Sequence, residues 1–166
     1  AGATALFAWR RGRVNRWLAA AIFFWCYFVP LGDIAWNLYG GQGDDGVSTR
    51  GETFLRGTQF TDADGQVRFA TIYPGWYPGR TPHIHFKVFL DAANLVTGQL
   101  YFPDDLSARI YAGVAPYDAR KAKRDIVRNE EDFIFEDQGG ADTLVSVMEE
   151  AGSYLASLVI GVDRAG

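Results

Sequence analysis

Thr71-Ile72-Tyr73-Pro74-Gly75-Trp76-Tyr77-Pro78-Gly79-Arg80-Thr81-Pro82-His83-Ile84-His85-Phe86 holds both histidines of the chain. In an extended strand successive side chains point to opposite faces. His83 and His85 therefore project to one side, and Ile84, Phe86, Val88 and Leu90 to the other. The apolar side is the core side, which leaves the histidines next to each other on the face that the core does not require. Tyr77 stands six residues before His83 and Arg80 three residues before it, at the end of a segment whose prolines restrict the backbone.

Paired histidines on a strand are commonly solvated or hydrogen-bonded surface residues. Here a phenol, a guanidinium and both imidazoles converge within residues 77–85. Imidazole suits several transition metals, but a phenolate is a hard anionic oxygen donor that matches a hard cation better than it matches copper(I) or a structural zinc. The donor set points to Fe(III).

Outward from this stretch the pattern is one of strands and turns. Alternation continues in residues 67–72 and in the closing segment 154–162. Thr61-Asp62-Ala63-Asp64-Gly65 is a hairpin turn signal, and Asp91-Ala92-Ala93-Asn94 is a turn between antiparallel strands that brings Gln99 back along the histidine strand. A single helix is expected over residues 104–112, entered through Pro103 with acids in its first turn and closed by Gly113. Nineteen glycines and an aromatic content of 15% favour short strands and tight turns over a helical bundle. At 166 residues the chain is long enough for one domain with a substantial core, and no repeat or linker divides it.

The charged run 118–132 contains Arg120, Lys121, Lys123, Arg124 and Arg128 among acids, and its simplest reading is a solvated loop. A net charge of -4 argues against a nucleic-acid partner. Cys26 is the only cysteine, so no internal disulfide forms and the redox compartment is not legible. Residues 17–31 carry no charge and follow Arg10, Arg11, Arg13 and Arg16, the order found in secretory signals. Fifteen residues fall short of the roughly 20 that span a bilayer as a helix. The segment is therefore expected to supply early strands of the domain rather than a membrane span, and cytoplasmic and secreted locations both stay open.

The stretch from Thr53-Phe54-Leu55-Arg56-Gly57-Thr58 through Thr61-Asp62-Ala63-Asp64-Gly65 to Tyr73-Pro74-Gly75-Trp76-Tyr77 and His83-Ile84-His85-Phe86 resembles the intradiol ring-cleavage dioxygenases, non-haem Fe(III) enzymes that open catechols between their two hydroxyl-bearing carbons. The resemblance is strongest over residues 51–101, while residues 1–40 depart from the family pattern. It implies an all-β domain over residues 1–166, an antiparallel β-sandwich with one short helix and long loops. It further implies that His83 and His85 are the imidazole ligands of iron and that Tyr77 is the tyrosinate released when substrate binds. Tyr39, 38 residues before Tyr77, is the candidate for the second tyrosinate. Arg80 falls at the active-site arginine of an Arg-x-x-His-x-His pattern, and Gln99 at the glutamine behind the ligands on the next strand. The implied reactants are a catechol-type small molecule and O2, and the implied product is a muconate-type diacid. Assembly into a homo-oligomer is compatible with the sequence.

Other classes make different demands. A zinc or copper protein uses the histidines but gives Tyr77 no role. A non-enzymatic β-sandwich binding module has no reason to gather Tyr77, Arg80, His83 and His85. A folded but inactive relative shares the motif and is the hardest of these to separate, whereas colour divides an iron–tyrosinate protein from zinc proteins and plain binding modules, which are colourless.

Overall fold

Strand β3 (His83–Leu90) and strand β4 (Ala93–Tyr101) form an antiparallel hairpin in a computed structural model that describes residues 2–8 through their strand pairing, and residues 57–76, 79–115, 117–120, 126–150 and 152–162. Tyr39, Tyr77, Cys26 and segment 17–31 lie outside the described residues. The hairpin turns at Asp91-Ala92, as the sequence predicts, with Asp91 at a φ of 53°. Two-residue hairpin loops need such left-handed positions, and Asp adopts them more readily than most non-glycine residues. Register shifts between Val88 and Phe89 near this turn, so Leu95 has no partner opposite it.

Residues directly opposite in an antiparallel pair share a face. The register sets His83 against Tyr101, Ile84 against Leu100 and His85 against Gln99. One face of the hairpin's far end is thus apolar, with Ile84 and Leu100 buried, and the other face carries four polar or aromatic groups. Of the expected core positions Ile84, Phe86 and Val88 are buried and Leu90, beside the turn, is half-buried, while Lys87 is exposed. His83 departs from the expected pattern, because it too is buried, at 1% exposure. The second face is covered by protein at His83, Gln99 and Tyr101, and His85 on the same face is half-buried.

Gly98 pairs with Phe86, and the Phe86 ring lies over it: a Cβ on Gly98 would stand 2.8 Å from the ring Cζ and 3.1 Å from Cε1. Gly98→Ala is therefore expected to cost about 1–3 kcal/mol through overpacking. Urea unfolding measures this, and an unchanged midpoint would mean that the ring repacks without cost.

The other sheet has the order β2 (Gln66–Thr71), β1 (Gly2–Ala8), β6 (Ser153–Leu158), β5 (Ser146–Glu150). β2 alternates as the sequence predicts, with Val67 and Phe69 buried and Arg68 and Ala70 exposed. It is entered through the predicted turn, where the Asp62 carboxylate accepts the Asp64 and Gln66 N–H groups and Gly65 takes a φ of 77°. β1 pairs antiparallel with β2 but parallel with β6, so the expectation of a purely antiparallel arrangement needs correction at that pair. A parallel pair cannot be closed by a hairpin, and here nearly the whole chain forms the connection.

Helix α1 (Asp104–Gly113) lies where the sequence places it, with Asp104 and Asp105 in its first turn and Leu106, Ser107, Ile110 and Tyr111 buried along one side. It is not the only helix. A short α2 (Phe133–Asp137) follows the charged run, and single 3-10 turns occupy Tyr117–Arg120, Asn129–Glu131 and Gly140–Thr143. No described helix is long and apolar enough to cross a membrane. Both sheets and α1 contribute to one buried cluster, through Val67 and Phe69, Ile84 and Phe86, Leu106, and Ala156.

α1 also fixes the segment that leads to residue 77. The Tyr73 and Ser107 hydroxyls are 2.6 Å apart, the Tyr111 hydroxyl donates to the Pro74 carbonyl and the Tyr117 hydroxyl donates to the Tyr73 carbonyl at 3.1 Å. The Tyr73 ring packs against Phe102 with centroids 4.8 Å apart. Tyr73 is thus a core residue at 3% exposure, committed to Ser107.

Candidate metal and arginine site

The two imidazoles share a face as strand geometry requires, with ring centroids 5.0 Å apart. His83 Nδ1 lies 2.6 Å from the Thr81 carbonyl oxygen. A carbonyl only accepts, so Nδ1 carries the proton and donates, and Nε2 is left with its lone pair, the arrangement that orients a metal-binding histidine. Burial pushes the His83 pKa well below the usual value, with the neighbouring His85 and Arg80 adding to the effect and the Thr81 hydrogen bond opposing it. Burial, then Arg80, lowers His85 to about 4. Both rings are neutral donors at neutral pH.

The sign of these shifts makes a prediction for the metal-free protein. The unfolded chain takes up protons on its histidines near pH 6.5 while the folded His85 does so only near 4, so the unfolded state binds more protons between those values. Stability is expected to fall as pH drops from about 7 to about 5.5, before most carboxylates titrate. Urea midpoints at the two pH values measure this. A protein equally stable at both would show that the rings are protonated in the folded state as readily as in the unfolded one.

Arg80 is buried at 8% exposure and is held at two of its nitrogens. Its Nε donates to the two oxygens of Asp132 at 2.9 and 2.8 Å. Its Nη2 donates to Gln99 Oε1 at 2.5 Å and reaches the Tyr101 hydroxyl at 3.3 Å, while that hydroxyl donates to the same Gln99 oxygen at 2.9 Å. Because β4 sets Gln99 opposite His85, the guanidinium is drawn alongside the histidines.

Asp132 is completely buried and accepts two further hydrogen bonds, from Thr81 N at 3.1 Å and from Ile134 N at 3.0 Å, the latter capping α2. Asn129, one turn earlier, accepts from the Thr81 hydroxyl and donates to the Phe102 carbonyl. Phe135 of α2 packs edge-on to the Tyr101 ring at 5.1 Å. These residues contact Arg80, Thr81 and Tyr101, the neighbours of His83. The reading of residues 118–132 as a solvated loop therefore needs correction at its end: Asn129 and Asp132 are interior, since a buried arginine requires a partner for its charge.

The structure thus brings together His83, His85, Arg80 and Gln99 from the sequence-predicted set, and adds Asp132, Tyr101 and Thr81. The remaining candidates, Tyr39 and Tyr77, lie outside the described residues. Among the described residues no group of three or more His, Cys, Asp or Glu side chains gathers as a metal cluster. Two neutral imidazoles, one with its tautomer fixed, nevertheless suit an iron site completed by oxygen donors of another residue type.

No family model matches the chain. Over 58 residues, 30% of this chain, it is 50% identical to the protocatechuate 3,4-dioxygenase beta chain of Burkholderia cepacia, and the aligned stretch spans 24% of that protein. An intradiol ring-cleavage dioxygenase from Tetranychus urticae superposes with a TM-score of 0.81 at 23% identity, covering 99% of this chain and 82% of that one. The dioxygenase domain of a dioxygenase carbohydrate-binding protein fusion from Streptomyces sp. SirexAA-E superposes with a TM-score of 0.61 at 24% identity over 98% of this chain and 80% of that one. For chlorocatechol 1,2-dioxygenase from Pseudomonas putida the TM-score is 0.54 at 17% identity, over 98% and 60% of the respective chains. In sequence over a third of its length or less, and in fold over nearly all of it, this chain resembles the intradiol ring-cleavage dioxygenases.

Proposed function

We propose that the protein is an intradiol dioxygenase that opens a catechol-type ring between its two hydroxylated carbons, placing both atoms of O2 in a muconate-type diacid. In this reading Fe(III) is held by His83, His85, Tyr77 and Tyr39 on an antiparallel β-sandwich. The observation that carries it is the pair of neutral imidazoles, His83 buried and His85 half-buried, with Arg80 held by Gln99 opposite His85. When bound, Fe(III) acts as a Lewis acid that draws protons from the catechol hydroxyls and takes up electron density from the catecholate.

The chain's own residues supply the setting for that chemistry. Neutral imidazoles add no charge to the site, so its net positive charge stays available to a dianionic substrate. Arg80 presents a fixed cation to the negative charge that develops on the ring, and a preorganised donor of this kind in a water-poor site is commonly worth a few kcal/mol in the barrier. Gln99 and Tyr101 hold the guanidinium so that little reorganisation is needed during reaction. A plain binding module gives no reason to bury an arginine beside two neutral histidines.

Metal analysis tests the reading. Purified protein is expected to hold about one iron per chain and to absorb broadly in the visible, because tyrosinate donates charge to Fe(III), with the band altered by catechol. A colourless protein that stays iron-free after reconstitution would remove the enzyme reading.

A further inference from the structure

We infer that Asp132 is a positioning residue for ring cleavage, setting the plane and reach of the Arg80 guanidinium through Nε while Gln99 holds Nη2; the inference rests on the dioxygenase reading above. A guanidinium held at one end pivots about that contact. Arg80 is held at two, by Asp132 through Nε and by Gln99 and Tyr101 through Nη2, and two anchors on a planar group fix its orientation. Asp132 also takes the N–H of Thr81, whose carbonyl accepts the His83 Nδ1 proton. One carboxylate thereby steadies the short segment that supplies both the arginine and the first histidine. It reaches them from 52 residues along the chain, at the start of α2, and its complete burial excludes water as a substitute acceptor.

Asp132→Asn is close to isosteric and still cannot satisfy the site. Oδ1 faces the Ile134 N–H and Oδ2 faces the Thr81 N–H, so an amide nitrogen in either place opposes a backbone donor. Only one oxygen remains for Arg80, and the guanidinium is expected to turn. A reacting group misplaced by about 1 Å can lose up to ~100-fold in rate.

The experiment compares catechol turnover by iron-loaded wild type, D132N, R80M and the double variant, with iron content and the visible band as a check on the metal, alongside crystal structures of wild type and D132N. D132N is expected to keep its iron and band, to lose about 10–100-fold in kcat with a smaller change in KM, and to add less than about twofold in the R80M background, since a residue that acts through Arg80 has no effect once Arg80 is gone. A kcat within about twofold of wild type, or an undiminished effect of D132N on top of R80M, would overturn the inference. If D132N does not fold, Asp132→Ser serves in its place, because serine keeps a cap for the Ile134 N–H while removing the second oxygen. Should wild type bind iron and cleave no catechol, the functional reading falls and the crystal structures decide the positioning: Arg80 turned away from Gln99 in the variant supports it, and Arg80 unmoved overturns it.

Discussion

Asp132→Ala is expected to lower the stability of the fold by about 3–5 kcal/mol, the range for removing one partner of a buried ion pair. The carboxylate is 0% exposed and Arg80 is 8% exposed, so the stranded cation has little access to water. Alanine also leaves the Thr81 and Ile134 N–H groups without their acceptor, and each buried unsatisfied donor adds about 1–3 kcal/mol unless the structure relaxes. These costs overlap, because water entering the gap serves all three groups at once. For a chain of this length the change corresponds to a fall in Tm of roughly 6–20 °C. Thermal and urea unfolding of metal-free wild type and variant measure it. A loss below about 1 kcal/mol would place the pair among exposed salt bridges, whose worth is small.

The surface ion pairs give the contrast. Arg109 with Asp105 lies at 3.4 Å, but the two side chains are 58% and 77% exposed, and its removal is expected to change stability little. Arg109 also lies 3.8 Å from Glu149, 40 residues away and 69% exposed, so burial rather than sequence distance sets the worth of a pair.

That difference also explains what the sequence revealed and what it hid. Strand alternation is local, so His83 and His85 could be assigned to one face and Ile84, Phe86 and Val88 to the other from spacing alone. Gln99 was legible one step further out, since the turn signal at Asp91-Ala92 folds β4 back and sets Gln99 opposite His85. Asp132 was not, because an acid within a run of charges is ordinarily solvated, and nothing in residues 118–132 encodes the arginine 52 positions earlier. A trace of it exists: Asp132 immediately precedes Phe133-Ile134-Phe135, and an acid before an apolar run is a helix N-cap signal, which would also have located α2. The burial of His83 was hidden for the same reason, as its neighbours Thr81 and Tyr101 pack with Asn129, Asp132 and Phe135 from that distant segment. The parallel pairing of β1 with β6 joins the two ends of the chain and leaves no mark in the local pattern of either.

The ligand assignment makes the other large prediction. His83→Ala and His85→Ala are each expected to abolish iron retention, because each removes an imidazole kept neutral by its surroundings, that of His83 also oriented by the Thr81 carbonyl. The loss should exceed the roughly 10–100-fold that removing an outer partner of a ligand costs. Thermal unfolding of the metal-free variants controls for the space left by the missing ring, since His83 is itself a core-like residue at 1% exposure. Tyr77→Phe should shift or weaken the visible band, and Tyr39→Phe should remove the colour that survives catechol binding, when Tyr77 has left the metal. Tyr73→Phe should do neither and cost only the contact with Ser107, about 1 kcal/mol. The tyrosines divide cleanly on this test because a phenol locked against Ser107 in the core cannot also face the histidines across the strand. Iron lost in Tyr73→Phe and kept in Tyr77→Phe would reverse the choice of tyrosine, and iron kept in both histidine variants would place the metal away from β3 altogether.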